Sequence, residues 1–121
     1  MEKVEAGTRQ QTVIEQIRDI LNCLSKGIVV VLVGKSGSGK TSMLRSISPQ
    51  LGSEDYVVEE IWTHRVTQFI QKRNYALKLG GRVVFTCQVE SDATPYLKGL
   101  EPSEYKLFKM QDLKLDEDCF H

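Results

Sequence analysis

The chain has 121 residues, 40% of them hydrophobic and 26% charged, with 16 Lys and Arg against 16 Asp and Glu. That length fits one small domain rather than several, and it still allows a true core, since a chain of this size hides roughly two-thirds of its unfolded surface. The zero net charge excludes the simplest nucleic-acid binder, a protein that is basic throughout, although it leaves room for a local basic patch.

Met1-Glu2-Lys3-Val4-Glu5 has no apolar signal region, and the longest purely apolar run, Ile28 to Val33, is far short of the ~20 residues of a membrane span. A cytoplasmic, membrane-free protein is expected. From Thr12 to Leu24 the apolar residues Val13, Ile14, Ile17, Ile20, Leu21 and Leu24 form a helical stripe, which Gly27 ends. Ile28-Val-Val-Val-Leu-Val33 is the β-branched run of a strand covered on both faces. Gly34 to Gly39 reads as a loop, and Lys40 to about Ser48 as a helix that stops before Pro49.

The segment after it has two readings. Tyr56-Val57-Val58 looks like the start of a strand, yet Val58, Ile61, Trp62, Val66, Phe69 and Ile70 also fit one long helical stripe. The preferred assignment is a strand from Tyr56 to about Ile61 and a helix from about Thr63 to Leu79, closed by Gly80-Gly81. Arg82 to Cys87 is a second buried-type strand; Ser91 to Pro102 is a loop or short helix. Tyr105, Leu107, Phe108 and Met110 mark a last strand before the acidic tail Asp116-Glu117-Asp118. Cys23, Cys87 and Cys119 are distant singles without metal-ligand or disulfide spacing, so Cys23 and Cys87 are expected as core filler and Cys119 as a free tail thiol. Trp62 and His64 are expected to be structural, the indole covering the edge of the core.

Gly34-Lys35-Ser36-Gly37-Ser38-Gly39-Lys40-Thr41 matches G-x-x-x-x-G-K-[ST], the Walker A phosphate loop. The chemistry demands these residue types. Glycines at 34, 37 and 39 let the backbone turn tightly and aim N–H groups at phosphate oxygens, and a following helix adds its positive end. Lys40 would reach the β- and γ-phosphates and the Thr41 hydroxyl would hold Mg²⁺. Through Gly34 to Ser42 the chain resembles P-loop NTPases, in an ATPase-like version. Strands alternating with helices point to an α/β sandwich with a small, mostly parallel sheet, divided into an N-terminal helix (1–27), a P-loop core (28–115) and an acidic tail (116–121). The resemblance implies that the sandwich is the three-layer P-loop NTPase type, with ATP and Mg²⁺ as cofactors.

In the branch of P-loop ATPases that includes motors and DNA pumps, one strand ends in a metal-supporting acid followed by a catalytic Glu, and a later strand ends in a polar γ-phosphate sensor. Tyr56-Val57-Val58-Glu59-Glu60 and Val83-Val84-Phe85-Thr86-Cys87-Gln88 are similar to those two segments. The likeness implies Glu59 at the metal-supporting position, Glu60 as general base and Gln88 as sensor. Glu59 stands where Asp is usual, and the stretch between Thr41 and Tyr56 is too short for the strand that usually intervenes. On the helical reading, Glu59 and Glu60 would instead be acids in a solvated first turn.

The neutral total hides a split. Residues 1–50 carry seven basic and four acidic residues; residues 51–121 carry nine and twelve. Ile61 to Val89 holds Arg65, Lys72, Arg73, Lys78 and Arg82 with no acid; Arg65 and Lys72, with Gln68 between them, share a helix face, and with Arg73 and Lys78 they could grip a nucleic-acid backbone or simply be solvated. Arg65, Arg73 and Arg82 are also candidate arginine fingers for a neighbouring subunit. The segment order resembles the FtsK–HerA group of DNA pumps, which implies ring-forming ATPases and a homo-oligomer or partner protein. A slow nucleotide-dependent switch is the alternative. A small-molecule kinase fits less well, since no Arg follows Arg82 to close a lid, and no D-x-x-G or N-K-x-D segment marks a GTPase.

Overall fold

The computed structural model describes residues 12–110. The first helix, α1 (Val13–Ser25), begins with a capping box: Thr12 Oγ1 accepts from Glu15 N–H, and the Glu15 carboxylate accepts from Thr12 N–H, both at 3.1 Å. Strand β1 (Val29–Val33) leads into the phosphate loop and helix α2 (Lys40–Ile47). Strand β2 (Tyr56–Val58), helix α3 (Val66–Lys78), strand β3 (Val83–Cys87), the short helix α4 (Glu90–Ala93) and strand β4 (Tyr105–Lys109) complete the order.

The sheet runs β2-β3-β1-β4 and every pairing is parallel. Val33 is registered with Cys87 on one side and with Lys109 on the other. All five residues of β1 and all five of β3 are buried, as continuous apolar strands between two helical layers must be. Alternate side chains go to opposite faces. Val30, Leu32 and Val84 pack with Ile20 and Leu24 of α1 and Met43, Leu44 and Ile47 of α2. Val29, Val31, Val33, Phe85 and Cys87 pack with Phe69 and Ala76 of α3 and with Tyr96 and Leu97. Phe69 is the hub of that second face, edge-on to Phe85 at 5.1 Å and to Tyr96 at 5.4 Å. This is the expected α/β three-layer architecture with a small parallel sheet. Cys23 and Cys87 lie buried in the two faces, whereas the acidic tail 116–121 and Cys119 lie outside the described residues.

Four expectations need correction. The strand β2 stops at Val58 instead of reaching Ile61, because Glu60 takes a left-handed backbone (φ 57°, ψ 66°) that no ladder continues. A 3₁₀ turn, Ile61–Thr63, follows, so α3 starts at Val66 rather than near Thr63. Trp62 does not cover the core edge; it is 54% exposed, and Ile61 is the residue of that turn that is buried. Arg73, expected as a nucleic-acid contact or arginine finger, is 1% exposed. Its guanidinium donates to the Tyr96 carbonyl at 2.8 Å and to Asn74 Oδ1 at 2.9 and 3.1 Å, tying α3 to the segment after α4.

Arg82 is also committed. It pairs with Asp55 at 3.0 Å, and Asp55 Oδ1 accepts the Arg82 N–H at 2.7 Å, which staples the starts of β2 and β3 at the sheet end away from the phosphate loop. Burial alone would raise the Asp55 carboxyl, but N–H donors from Gly52 and Arg82 and the Arg82 guanidinium outweigh it and hold the pKa below its ordinary value. The glycine at 81 is forced, since a Cβ there would collide with the Glu54 carbonyl.

Two outcomes are expected. Arg73→Ala should lose about 2–4 kcal/mol in denaturant unfolding, because it empties a buried site and orphans the Tyr96 carbonyl. A group with a depressed folded pKa stabilises fully above its unfolded value, ~3.9 for Asp, and loses that contribution as pH falls through the folded one. Asp55→Asn should therefore flatten the acid limb of the stability profile below about pH 4 while leaving its shape at neutral pH unchanged. An acid limb identical to wild type would contradict the assignment.

Candidate functional site

The site lies where β1 ends. Gly34 N–H donates to the Cys87 carbonyl at 3.0 Å, continuing the β1–β3 ladder one residue into the loop. The chain then turns on Gly37 (φ 83°) and Gly39 (φ 101°), conformations that side chains with a Cβ resist. Gly34 has a different reason to be glycine: a Cβ there would run into Ser38 Oγ and press on Met110. Gly39 caps α2 without a side-chain hydrogen bond, so the first N–H groups of that helix keep their donors for an anion. Ser38 Oγ is buried and has no hydrogen-bond partner among the described residues. An orphan hydroxyl in a glycine-rich loop at the start of a helix suits an arriving phosphate oxygen.

Lys40, the first residue of α2, is 7% exposed, and its Nζ donates to the Cys87 carbonyl at 3.3 Å. One carbonyl thus accepts both the Gly34 N–H and the Lys40 ammonium. Thr41 and Ser42 stand exposed beside it in the first turn of α2, and Lys35, Ser36 and Gly37 are exposed in the loop. A cleft of about 560 Å³ opens next to the loop, lined by Val33, Lys35, Ser38, Gln88, Val89, Glu90 and Lys109.

Gln88 follows β3 directly and lines this cleft together with Lys35 and Ser38. Glu59 and Glu60 follow β2, the strand beyond β3, with Glu59 exposed and Glu60 half-buried. Glu60 is clamped. Its N–H donates to Thr86 Oγ1 at 2.9 Å, and its carbonyl accepts from Thr63 N–H at 2.9 Å and from Thr63 Oγ1 at 2.8 Å. Three hydrogen bonds hold the one non-glycine residue with positive φ among those described, the kind of strain that persists only when its surroundings over-determine it. Arg65, Lys72 and Lys78 are exposed on or beside α3, while Arg73 and Arg82 are engaged as described.

Thr86 was missed from sequence, and so were Glu90 and Lys109. For Thr86 there was a signal: it is the one hydroxyl in the apolar run of β3, and a 3%-exposed Thr needs a partner. The Cys87 thiol is fully buried. Burial, then the nearby Asp92, push its thiol up to about 11, against a smaller opposing pull from Lys40 and with a further push from Glu90.

The sequence pattern of the KAP family P-loop domain matches residues 10–118. The chain belongs to that family. No curated protein and no solved structure matches it. The KAP match takes in β1, the glycine loop, α2 and the strand ends that surround the cleft, so the geometry above is that of a KAP P-loop domain. Among the described residues, no helix of this domain is long and apolar enough to cross a membrane. No cluster of three His, Cys, Asp or Glu side chains able to hold a metal occurs among them either.

A buried, protonated thiol should resist alkylation. Iodoacetamide at about pH 8 is expected to leave Cys87 unmodified in the folded domain and to label it after denaturation, as read by mass spectrometry. Rapid labelling of folded protein at Cys87 would overturn that picture of β3.

Proposed function

We propose that this KAP P-loop domain binds ATP with Mg²⁺ and hydrolyses it. The N–H groups of Gly37, Gly39 and the first turn of α2 would donate to the phosphates, Ser38 would supply a hydroxyl, and Lys40 would leave the Cys87 carbonyl for the β- and γ-phosphates. The residues fit a divalent ion of the kind held mainly by nucleotide oxygens. Thr41 Oγ1 and the Glu59 carboxylate would complete its shell, with no protein cage needed. When bound, the ion would neutralise charge between the β- and γ-phosphates. Glu60 would orient and deprotonate the attacking water, and Gln88, on the lining of the cleft, would sense the γ-phosphate.

The observation that supports this reading is a pairing on β3. Consecutive residues, Thr86 and Cys87, hold the Glu60 backbone and the Lys40 ammonium. Candidate base and phosphate lysine are thereby referenced to one rigid strand, as positioning of a reactive water requires. We further propose that turnover is coupled to movement of DNA by an oligomer, with Arg65, Lys72 and Lys78 as the backbone contacts. A nucleotide-dependent switch that hydrolyses slowly is the second reading. It is favoured by the exposure of Glu59, whose side chain is also one methylene longer than the usual Asp.

Saturating ATP at 100 times its Kd should stabilise the wild type by about 2.7 kcal/mol, seen as a raised Tm. Lys40→Ala should abolish that shift, and a shift of normal size would overturn the phosphate site. Glu60→Gln should keep the shift and lose phosphate release by ~10²-fold or more. An unchanged rate would return Glu60 to a structural role. Stimulation of phosphate release by DNA selects the pump; binding without turnover selects the switch.

A further inference from the structure

The sheet order places β1 between β3 and β4, so the residue that ends β4 and those just after β3 flank the exit of β1 into the phosphate loop. Lys109 ends β4, and Glu90 begins α4, three residues beyond β3. Their side chains meet across that exit, Lys109 Nζ to Glu90 Oε1 at 3.2 Å, and both line the cleft that holds Lys35 and Ser38. The pair is a strap on the wall of that cleft, joining the end of β4 to the start of α4 across β1.

As a structural device the strap is weak. The two side chains are 42% and 60% exposed, and an ion pair that open to water contributes little to folding. Its placement matters more than its strength. The Lys109 backbone is fixed by the five-residue register of β4 with β1, so its ammonium is confined to the neighbourhood of the loop. A Lys that gives up an exposed carboxylate loses little, and a polyphosphate offers several oxygens and more charge in exchange. Glu90, conversely, puts a negative charge on the cleft wall that an arriving polyphosphate must meet.

Building on the nucleotide-binding reading above, we propose that Lys109 is a further phosphate-contacting residue. Glu90 acts as its internal competitor: the ammonium exchanges the Glu90 carboxylate for oxygens of a nucleoside di- or triphosphate. Glu90 thereby lowers affinity and Lys109 raises it. Neither residue belongs to the glycine-loop motif, and they reach the cleft from opposite sides of β1.

The test is ATP and ADP affinity, by calorimetry, of the full chain and four variants. Glu90→Gln should tighten binding by ~2–5-fold, and Lys109→Gln should weaken it by a similar factor, the range for one exposed charge. In the Lys109→Gln background, Glu90→Gln should change Kd by much less than it does alone, since the competition is gone. Lys109→Arg should keep most of the affinity. Unfolding midpoints should be unchanged throughout, which separates this role from a structural one. Unchanged affinities in both single variants, with Lys40→Ala still abolishing binding, would overturn the proposal and leave the phosphate-loop reading standing. A wild type that binds no ATP would overturn both.

Discussion

Strand β1 is paired along both edges and covered on both faces, and the carbonyl of its neighbour Cys87 closes the ladder onto Gly34. That last bond fixes where the strand ends and the loop begins. A loop with three glycines has every freedom to collapse; anchored at Gly34 by the Cys87 carbonyl and resumed at Lys40 in a packed helix, it is held at both ends, which lowers the entropic cost of ordering it. The strand ends that line the cleft take their positions from the same register. The shape of the glycine loop is thus a property of the rigidity of β1, expressed at its tip.

Charge is placed with similar economy. Two of the five basic residues in the acid-free stretch 61–89 are spent inside the fold. Arg73 bridges α3 to the Tyr96 carbonyl, and Arg82 staples two strand starts through Asp55. The long apolar stem of Arg73 lies in the core while its head finds carbonyl and amide oxygens, so a residue that composition assigns to the surface serves as packing. The basic face available to a partner is accordingly narrower than the sequence implied, and rests on Arg65, Lys72 and Lys78.

Much of this was legible before any coordinates. The glycine loop, the flanking strand and helix, and the parallel α/β sandwich follow from local patterns: β-branched runs, helical stripes and glycine at points of required freedom. Positions set by long-range partners were not legible. The end of β2 depends on a hydroxyl 26 residues away accepting from Glu60, and no periodicity encodes that. Burial of Arg73 depends on a carbonyl 23 residues on, at Tyr96. The Glu90–Lys109 strap depends on strand order, which brings together residues that nothing in the sequence relates. Trp62, at the junction of strand and helix, was expected to cover the core edge, whereas the turn there needed only one of its residues inside and took Ile61.

The clamp on Glu60 has an optical consequence. The sequence contains a single tryptophan, and it stands exposed two residues from Glu60 within the turn that Thr63 ties back to the Glu60 carbonyl. Any rearrangement that releases Glu60 from Thr86 must move that turn, and with it the only indole in the chain. Intrinsic emission of the unlabelled protein is therefore a local gauge of this one turn, undiluted by any other fluorophore of its kind.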